Sequence, residues 1–106
     1  MTHSIIQLAI RKACQSICKI RISAIAFDNH GNILTSAFNS PRFNRFGGGM
    51  HAEMKVLQKA GSKTASILIC RVGHSGNLLP VHPCKTCQRL LDKRGIRVYS
   101  ISSERG

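Results

Sequence analysis

A chain of 106 residues with sixteen Lys and Arg against four Asp and Glu carries a formal net charge of +12. Its length fits one domain and leaves no room for a separate binding module. No apolar run approaches the roughly 18 residues of a membrane span, and no basic segment precedes the apolar N-terminal stretch, which argues against a membrane protein and a signal peptide. The charge favours a polyanionic partner (nucleic acid, nucleotide phosphates or an acidic membrane face); the alternative is a solvated basic surface without a specific partner.

The five cysteines do not have the pattern of a disulfide framework. Cys84 and Cys87 stand close together in PCKTC, whereas Cys14, Cys18 and Cys70 are scattered. This pattern predicts a reducing, cytoplasmic location, with the C-x-x-C pair in metal or redox chemistry. The three scattered cysteines are expected to be buried, small apolar side chains.

The first predicted helix lies in the segment SIIQLAIRKACQSI. Its apolar residues recur at steps of four, three and four positions, as one face of a helix requires, and they are Ile6, Ile10, Ala13 and Ile17. The segments RISAIAF and ILTSAF follow as two strands. The turn cluster DNHGN between them, in which Gly31 can adopt a positive φ, predicts that they form a hairpin.

After a glycine-rich loop, NSPRFNRFGGG, a second helix is predicted from near Met50 until Gly61 ends it. The segment SILICRV is apolar almost throughout, as expected of a strand covered on both faces. A third helix is predicted from about Pro83 to Arg94, with Gly95 just past its end, and IRVYSI is a last strand. This order predicts an α/β fold whose mixed sheet combines a hairpin with parallel strands and has helices on both faces.

Two pairs of chemically active residues fall at the starts of predicted helices: His51 with Glu53, and Cys84 with Cys87. Exposed amides and the helix dipole at such an end stabilise thiolates, which are the form of cysteine that binds zinc. One imidazole and two thiolates make three ligands, whereas zinc takes four. A site with three protein ligands leaves the fourth position to water, as catalytic zinc sites do, and Glu53 can then carry the proton of that water.

The letters HAE at 51–53 and PCKTC at 83–87 together form the H-x-E and P-C-x-x-C signature of zinc nucleobase deaminases. The chain therefore resembles the cytidine and deoxycytidylate deaminase superfamily, which also contains tRNA adenosine deaminases and nucleic-acid-editing cytosine deaminases. Each motif alone is weak, but both in this order, at helix starts separated by a strand, are a strong signal. The strand order also matches the family core from about residue 5 to residue 102.

The resemblance implies a three-layer α/β/α, cytidine deaminase-like fold with a mixed sheet of four to five strands, over residues 1–106 as a single minimal deaminase domain. It implies Zn²⁺ as the cofactor, with His51, Cys84 and Cys87 as its ligands and Glu53 as the catalytic proton shuttle. The implied reaction is hydrolytic: zinc-activated water attacks C4 of a cytosine or C6 of an adenine. Glu53 protonates the ring nitrogen and then the departing amine, and ammonia leaves.

Contacts with the substrate are implied at several further positions. Asn39 in AFNSP matches the segment in which family members place an Asn that contacts the ribose, and the backbone amide of Ala52 is implied to contact the base carbonyl. Phe43 and Phe46 alternate with arginines in the following loop, which suits base stacking beside phosphate contacts. The alternative is that these two rings pack the loop against the core.

Other interpretations of the motifs stay open. The C-x-x-C pair could be a thioredoxin-like redox motif, although such a motif would not explain His51 and Glu53. A structural zinc knuckle would take a fourth ligand such as His82 or His74. Without that role, His82 is expected at the rim of the substrate pocket.

The sequence thus predicts a zinc-dependent hydrolytic deaminase of cytosine in a nucleoside, a nucleotide or single-stranded nucleic acid. The alternatives are an adenosine deaminase acting on RNA, a non-catalytic zinc-stabilised module that binds nucleic acid, and an inactive deaminase fold that serves as an interaction partner. No membrane partner is expected. The family core usually has a fifth strand, and this chain ends just after its fourth predicted strand. The sheet edge left uncovered predicts a homo-oligomer.

Overall fold

The computed structural model describes residues 3–41, 49–50, 52–81 and 85–101. Within these ranges the α-helices are α1 (His3–Cys14), α2 (Ala52–Ala60) and α3 (Lys85–Lys93), and a 3₁₀ helix spans Gly61–Lys63. The strands are β1 (Arg21–Phe27), β2 (Ile33–Phe38), β3 (Ser40–Pro41), β4 (Gly49–Met50), β5 (Ser66–Val72), β6 (Leu78–Leu79) and β7 (Arg97–Ser100). The predicted order of helices and long strands is confirmed, and β3, β4 and β6 are two-residue additions to it.

Five of these strands form one sheet in the order β2–β1–β5, with both β6 and β7 paired to β5. β1 pairs with β5 over all seven residues, from Arg21 opposite Val72 to Phe27 opposite Ser66. β6 and β7 therefore lie on the other side of β5, with β6 at its end and β7 at its start. The remaining two strands, β3 and β4, pair with each other.

The strand directions confirm the predicted mixture of a hairpin and parallel strands. β2 and β5 each pair antiparallel to β1 on either side of it, so they run in the same direction. The crossover between them contains α2. β5 and β7 pair in parallel, and the connection between them contains α3. Parallel strands need such long connections, and helices supply them here.

Helices cover both faces of the sheet, as the three-layer fold predicts. Ile67 and Ile69 of β5 belong to a core shared with α2 and α3, which contribute Val56, Leu57 and Leu91. Leu68 and Cys70, the alternate residues of β5, belong to a second core beneath α1, which contributes Ala9 and Ala13. Side chains alternate between the two faces of a strand, so burial on both sides explains why SILICRV is apolar almost throughout.

The first helix ends earlier than its apolar spacing predicts. α1 stops at Cys14, and Ile17, which was expected on the buried stripe, is 82% exposed. The Ser16 hydroxyl donates to the Asn39 carbonyl at 2.9 Å and accepts from the Cys18 N–H at 3.2 Å. These bonds offer the backbone an alternative to another helical turn. The contact with a residue 23 positions away is invisible in a local pattern.

Two of the three cysteines expected to be buried are not. Cys14 is exposed and Cys18 is half-buried, and only Cys70 lies in the core. Cys14 occupies the last position of α1, and Cys18 lies beyond the helix rather than one turn further along it. The prediction failed for Cys14 because it is not on the buried face of α1, which Ala9 and Ala13 form, and for Cys18 because the helix ends before it.

Glycines mark the ends of elements as the sequence indicates. Gly31 has φ of 80° in the β1–β2 turn, and Gly61 and Gly95 have positive φ directly after α2 and near the end of α3. The start of α2 differs by two positions, since Met50 belongs to β4 and the helix begins at Ala52. The predicted start of the third helix at Pro83 lies outside the described residues. Among the described residues, no helix is long and apolar enough to cross a membrane.

Burial raises the pKa of the Cys70 thiol from 9.0 to about 11, against the opposing effect of a hydrogen bond with Ser23. The thiol is therefore protonated in the fold at pH values where the unfolded chain has lost its proton. A raised pKa of this kind leaves stability unaffected below pH 9 and lowers it as the pH rises from 9 towards 11.

We predict that this residue removes up to about 3 kcal/mol of unfolding free energy across that pH range. Urea unfolding of wild type and Cys70→Ala at pH 8 and pH 10.5 measures the effect. The substitution lowers stability at both pH values because it opens a small cavity, but its cost should be smaller at pH 10.5. A cost that does not change with pH would contradict the raised pKa.

Candidate active site

The candidate site lies at one edge of the sheet, where β2 and β5 end. Phe38 at the end of β2 lies opposite Ser23 of β1, which lies opposite Cys70 near the end of β5. α2 leads back to the start of β5, and α3 leads back to the start of β7, so both helices run against the direction of β5 on one face. Their first turns therefore lie near the carboxyl ends of β2 and β5, where open α/β sheets commonly bind ligands.

Glu53 lies in the first turn of α2 and is only 4% exposed. Among the described residues, none donates a hydrogen bond to its carboxylate or forms an ion pair with it. Glutamates are rarely this buried unless they are paired, because removing a carboxylate from water is costly. The position of Glu53 at the start of a helix offsets part of that cost and is compatible with a functional role.

Cys87 lies in the first turn of α3 and is 3% exposed. α3 packs on the same face of the sheet as α2, so Cys87 and Glu53 belong to the first turns of neighbouring elements at one sheet edge. The predicted placement of both residues at helix N-termini is confirmed.

Arg71 is a residue of this region that the sequence motifs do not indicate. It is next to last in β5, and the alternation with Ile67 and Ile69 places it on the face covered by α2 and α3. Its Nε is buried and has no hydrogen-bond partner among the described residues. A single charged letter in the apolar run SILICRV is the signal that could have revealed it, because buried arginines are normally paired.

Lys55 ties the first turns of α2 to the end of β2. Its Nζ donates to the Phe38 carbonyl at 2.7 Å and lies 5.3 Å from the centre of the Phe38 ring. Lys12 of α1 lies 5.9 Å from the same ring. Burial is the largest cause that lowers the pKa of Lys55, and Lys59 lowers it further. The two cation–π contacts stabilise the position of Phe38 at the end of β2.

Asn39 follows β2 directly and is held by backbone groups. Its Oδ1 accepts from the Ile22 N–H at 2.9 Å, and its Nδ2 donates to the Ile20 carbonyl at 2.7 Å. The side chain thereby links the end of β2 to the start of β1 and to the residue that precedes it. A ribose contact of Asn39 stays a prediction, and any such contact would have to share these groups.

Several predicted site residues lie outside the described residues: His51 and Cys84 among the metal ligands, and Phe43, Phe46 and His82 among the substrate contacts. The described residues contain no group of three or more His, Cys, Asp and Glu side chains that could hold a metal ion. Because His51 and Cys84 lie outside the described residues, the zinc site stays a prediction. His74, the other possible fourth ligand, is exposed in the turn after β5.

The sequence was compared with known protein families. The family described as the cytidine and deoxycytidylate deaminase zinc-binding region matches residues 1–102. The chain belongs to this family. The predicted resemblance to this superfamily is thereby confirmed. Membership of the family supports a deaminase of the cytidine deaminase type. No curated protein sequence shows significant similarity to this cytidine deaminase family member.

Solved structures agree with the fold. Cytidine deaminase from Mycobacterium leprae is similar with a TM-score of 0.65 at 16% identity, over 97% of this chain and 90% of that one. Cytidine deaminase from Mycobacterium tuberculosis is similar with a TM-score of 0.62 at 15% identity, over 92% of this chain and 85% of that one. At such identities the likeness establishes the cytidine deaminase-like fold.

The described residues suit the zinc that is typical of this family. Cys87 is buried in the first turn of a helix, where N-terminal amides favour the thiolate form. Glu53 is buried in the first turn of the neighbouring helix and lacks a protein partner among the described residues. A soft sulfur ligand and a nearby unpaired carboxylate match the donor chemistry of a zinc site with an outer proton carrier.

We predict that Asn39→Ala lowers the unfolding free energy by about 2 kcal/mol, because it removes two hydrogen bonds to backbone groups. Urea unfolding measures the loss. Asn29→Ala, an exposed position in the β1–β2 turn, is the matched control and should change stability by less than about 0.5 kcal/mol. Equal stability of Asn39→Ala and wild type would show that these bonds contribute nothing net.

Proposed function

We propose that this chain is a zinc-dependent hydrolytic deaminase of cytosine in a nucleoside, a nucleotide or single-stranded nucleic acid. The observation that carries the proposal is the buried Glu53 at the start of α2, beside the start of α3 that holds Cys87. A metal site with a purely structural role would need no unpaired acid next to it. The match to the deaminase family supports the same chemistry.

In this proposal His51, Cys84 and Cys87 hold the zinc ion, which would lower the pKa of a bound water and so make it a nucleophile at neutral pH. The proton transfers are carried out by Glu53 of α2. Glu53 takes up a proton from the water and delivers it to N3 of the cytosine ring, and then a proton to the departing amine. Burial of Glu53 keeps bulk water from competing for these protons.

The start of α2 also offers a contact for the base. The first amides of a helix have no partner within the helix, and Ala52 is the first residue of α2. In this proposal its N–H donates to the C2 carbonyl of cytosine. Ala52 is fully buried in the core, so a larger side chain at this position would displace α2 from the sheet.

We also propose that the substrate carries a phosphate. The net charge of +12 supports a phosphate-bearing substrate, and Asn39, Phe43, Phe46 and His82 are proposed as contacts for its sugar and base. Adenosine in RNA is the second candidate, since the same proton transfers serve C6 of adenine. A reducing, cytoplasmic location is proposed from the cysteine usage.

We predict that Glu53→Ala retains bound zinc and loses ammonia release by a factor of about 10² to 10⁴, since general acid–base catalysis contributes that much. Ammonia release from cytidine, deoxycytidine, CMP, dCMP, adenosine and single-stranded DNA measures activity, and metal analysis measures zinc. The compound in this panel that releases ammonia identifies the substrate class.

The matched control is Asp92→Asn, which removes an exposed carboxylate on α3. This variant should retain the activity and zinc content of wild type. Full turnover by Glu53→Ala would overturn the proposed mechanism. Zinc without ammonia release from any substrate in wild type would favour the non-catalytic module instead.

We also propose that the chain forms a homo-oligomer. Among the described residues, β2 and β7 have no strand beyond them in the sheet, and Ile17 and Ile20 are 82% and 49% exposed in the segment between α1 and β1. Uncovered edges and exposed isoleucines are typical of surfaces that associate.

We predict that sedimentation equilibrium finds an assembly larger than the 11.6 kDa chain. The pair Ile17→Glu and Ile20→Glu should dissociate it, because carboxylates are strongly disfavoured in a buried apolar contact. Changing the exposed Gln7 and Gln58 to Glu adds the same charge elsewhere and is the matched control. A monomeric wild type at micromolar concentration would contradict the proposal.

A further inference from the structure

A polar cavity lies at the opposite edge of the sheet from the candidate active site. It has a volume of about 640 Å³ and is formed by the β1–β2 turn, the segment before β5 and the α3–β7 connection. Ser66 at the start of β5 lies opposite Arg97 at the start of β7, so the cavity is at the edge where these two strands begin. The volume is within the range of small-molecule sites. The proposed deaminase chemistry uses none of its residues.

Two arginines of this cavity, Arg94 and Arg97, have no partner for their guanidinium groups among the described residues. Both are exposed. The nearby carboxylate of Asp28 does not pair with them, because it accepts from the N–H groups of His30 and Asn32, each at 2.9 Å. These hydrogen bonds hold the pKa of Asp28 below its usual value. Two guanidinium groups against one engaged carboxylate leave an excess of positive charge.

Thr64 forms part of the wall of the cavity and is 8% exposed. Its hydroxyl is buried and has no hydrogen-bond partner among the described residues. A buried hydroxyl without a partner is unfavourable, and a ligand oxygen or an ordered water in the cavity would satisfy it. A basic patch on an open surface would not need such a group. The unpartnered hydroxyl of Thr64 therefore favours a ligand site over a solvated basic surface.

Tyr99 completes the cavity with an aromatic ring that is 46% exposed. It is two positions after Arg97 in β7, so both side chains lie on the same face of the strand, about 7 Å apart along it. An arginine beside an exposed ring is the arrangement that holds a phosphate and stacks the attached base. Thymine, cytosine and adenine all have a face for such stacking.

We propose that this cavity binds the phosphate ester of a nucleotide unit. Arg94 and Arg97 contact the phosphate, Thr64 donates to one of its oxygens, and Tyr99 stacks on the base. Guanidinium groups suit this role because their planar donors match the geometry of phosphate oxygens. The unit is either a free nucleotide or one residue of a single-stranded polynucleotide, since both present the same ester.

Thymidine 5′-monophosphate and an eight-residue single-stranded oligothymidylate are suitable probes, because thymine has no exocyclic amine and so is not a deamination substrate. Thymidine is the control without phosphate. Titration calorimetry of the zinc-loaded full chain measures the affinities. We expect the monophosphate or the oligonucleotide to bind and thymidine to bind at least about tenfold more weakly, since charge-assisted hydrogen bonds to phosphate are lost.

The variant pair Arg94→Gln and Arg97→Gln should weaken binding by at least about tenfold. The pair Arg11→Gln and Arg89→Gln removes the same charge from exposed helical positions outside the cavity and should change binding by less than about twofold. For the oligonucleotide, the slope of log affinity against log salt should fall by about 1.4 only in the first pair. Ammonia release from cytidine, which has no phosphate for these arginines to contact, should be the same in both pairs.

Loss confined to the first pair supports the site, and the probe that shows the loss identifies a free nucleotide or a polynucleotide as its source. Equal weakening in both pairs overturns it, as does tight binding of thymidine. Thr64→Val is a second test, because the extended backbone at this position, with φ of −70° and ψ of 120°, accepts a β-branched residue. It should lower affinity without lowering the melting temperature; unchanged affinity would contradict the contact.

Discussion

The antiparallel pairing of β1 with β5 over seven residues is the constraint on which the rest of the structure depends. β1 holds β2 on one side and β5 on the other, so those two strands must run in the same direction and end at the same edge. The chain can then connect them only by a crossover, and α2 lies in that crossover. α3 repeats the arrangement between β5 and β7. Two helix N-termini therefore meet the ends of two strands at one edge.

This geometry explains how a strongly basic chain retains a buried acid. An unpaired carboxylate is destabilising in an apolar interior, and the positive end of the α2 dipole offsets part of that cost. A divalent cation held between the two helix starts, as proposed, would offset more of it. The arrangement is therefore consistent with the zinc chemistry of the family and explains why the helices, rather than loops, carry the two residues.

The sequence allowed the fold to be predicted where a local pattern and a tertiary requirement coincide. SILICRV is apolar because both faces of β5 are covered, and Gly31, Gly61 and Gly95 occupy positions with positive φ. Prediction failed where a distant partner decides. Ser16 bonds to Asn39 where α1 has ended, so the predicted helical stripe through Ile17 was wrong. For the site, motif spacing placed Glu53 and Cys87 at helix starts, but it could not reveal Arg71, whose significance depends on strand direction.

The two ends of the sheet are far enough apart to act independently. β5 has seven residues, so its ends are separated by about 20 Å. Two unit charges at that distance in water interact by only about 0.2 kcal/mol, and physiological salt screens even this. Arg94 and Arg97 at one end therefore interact only weakly with charges at the other. Positive charge can therefore be concentrated at the edge where it attracts phosphate without imposing a strong field on the candidate active site.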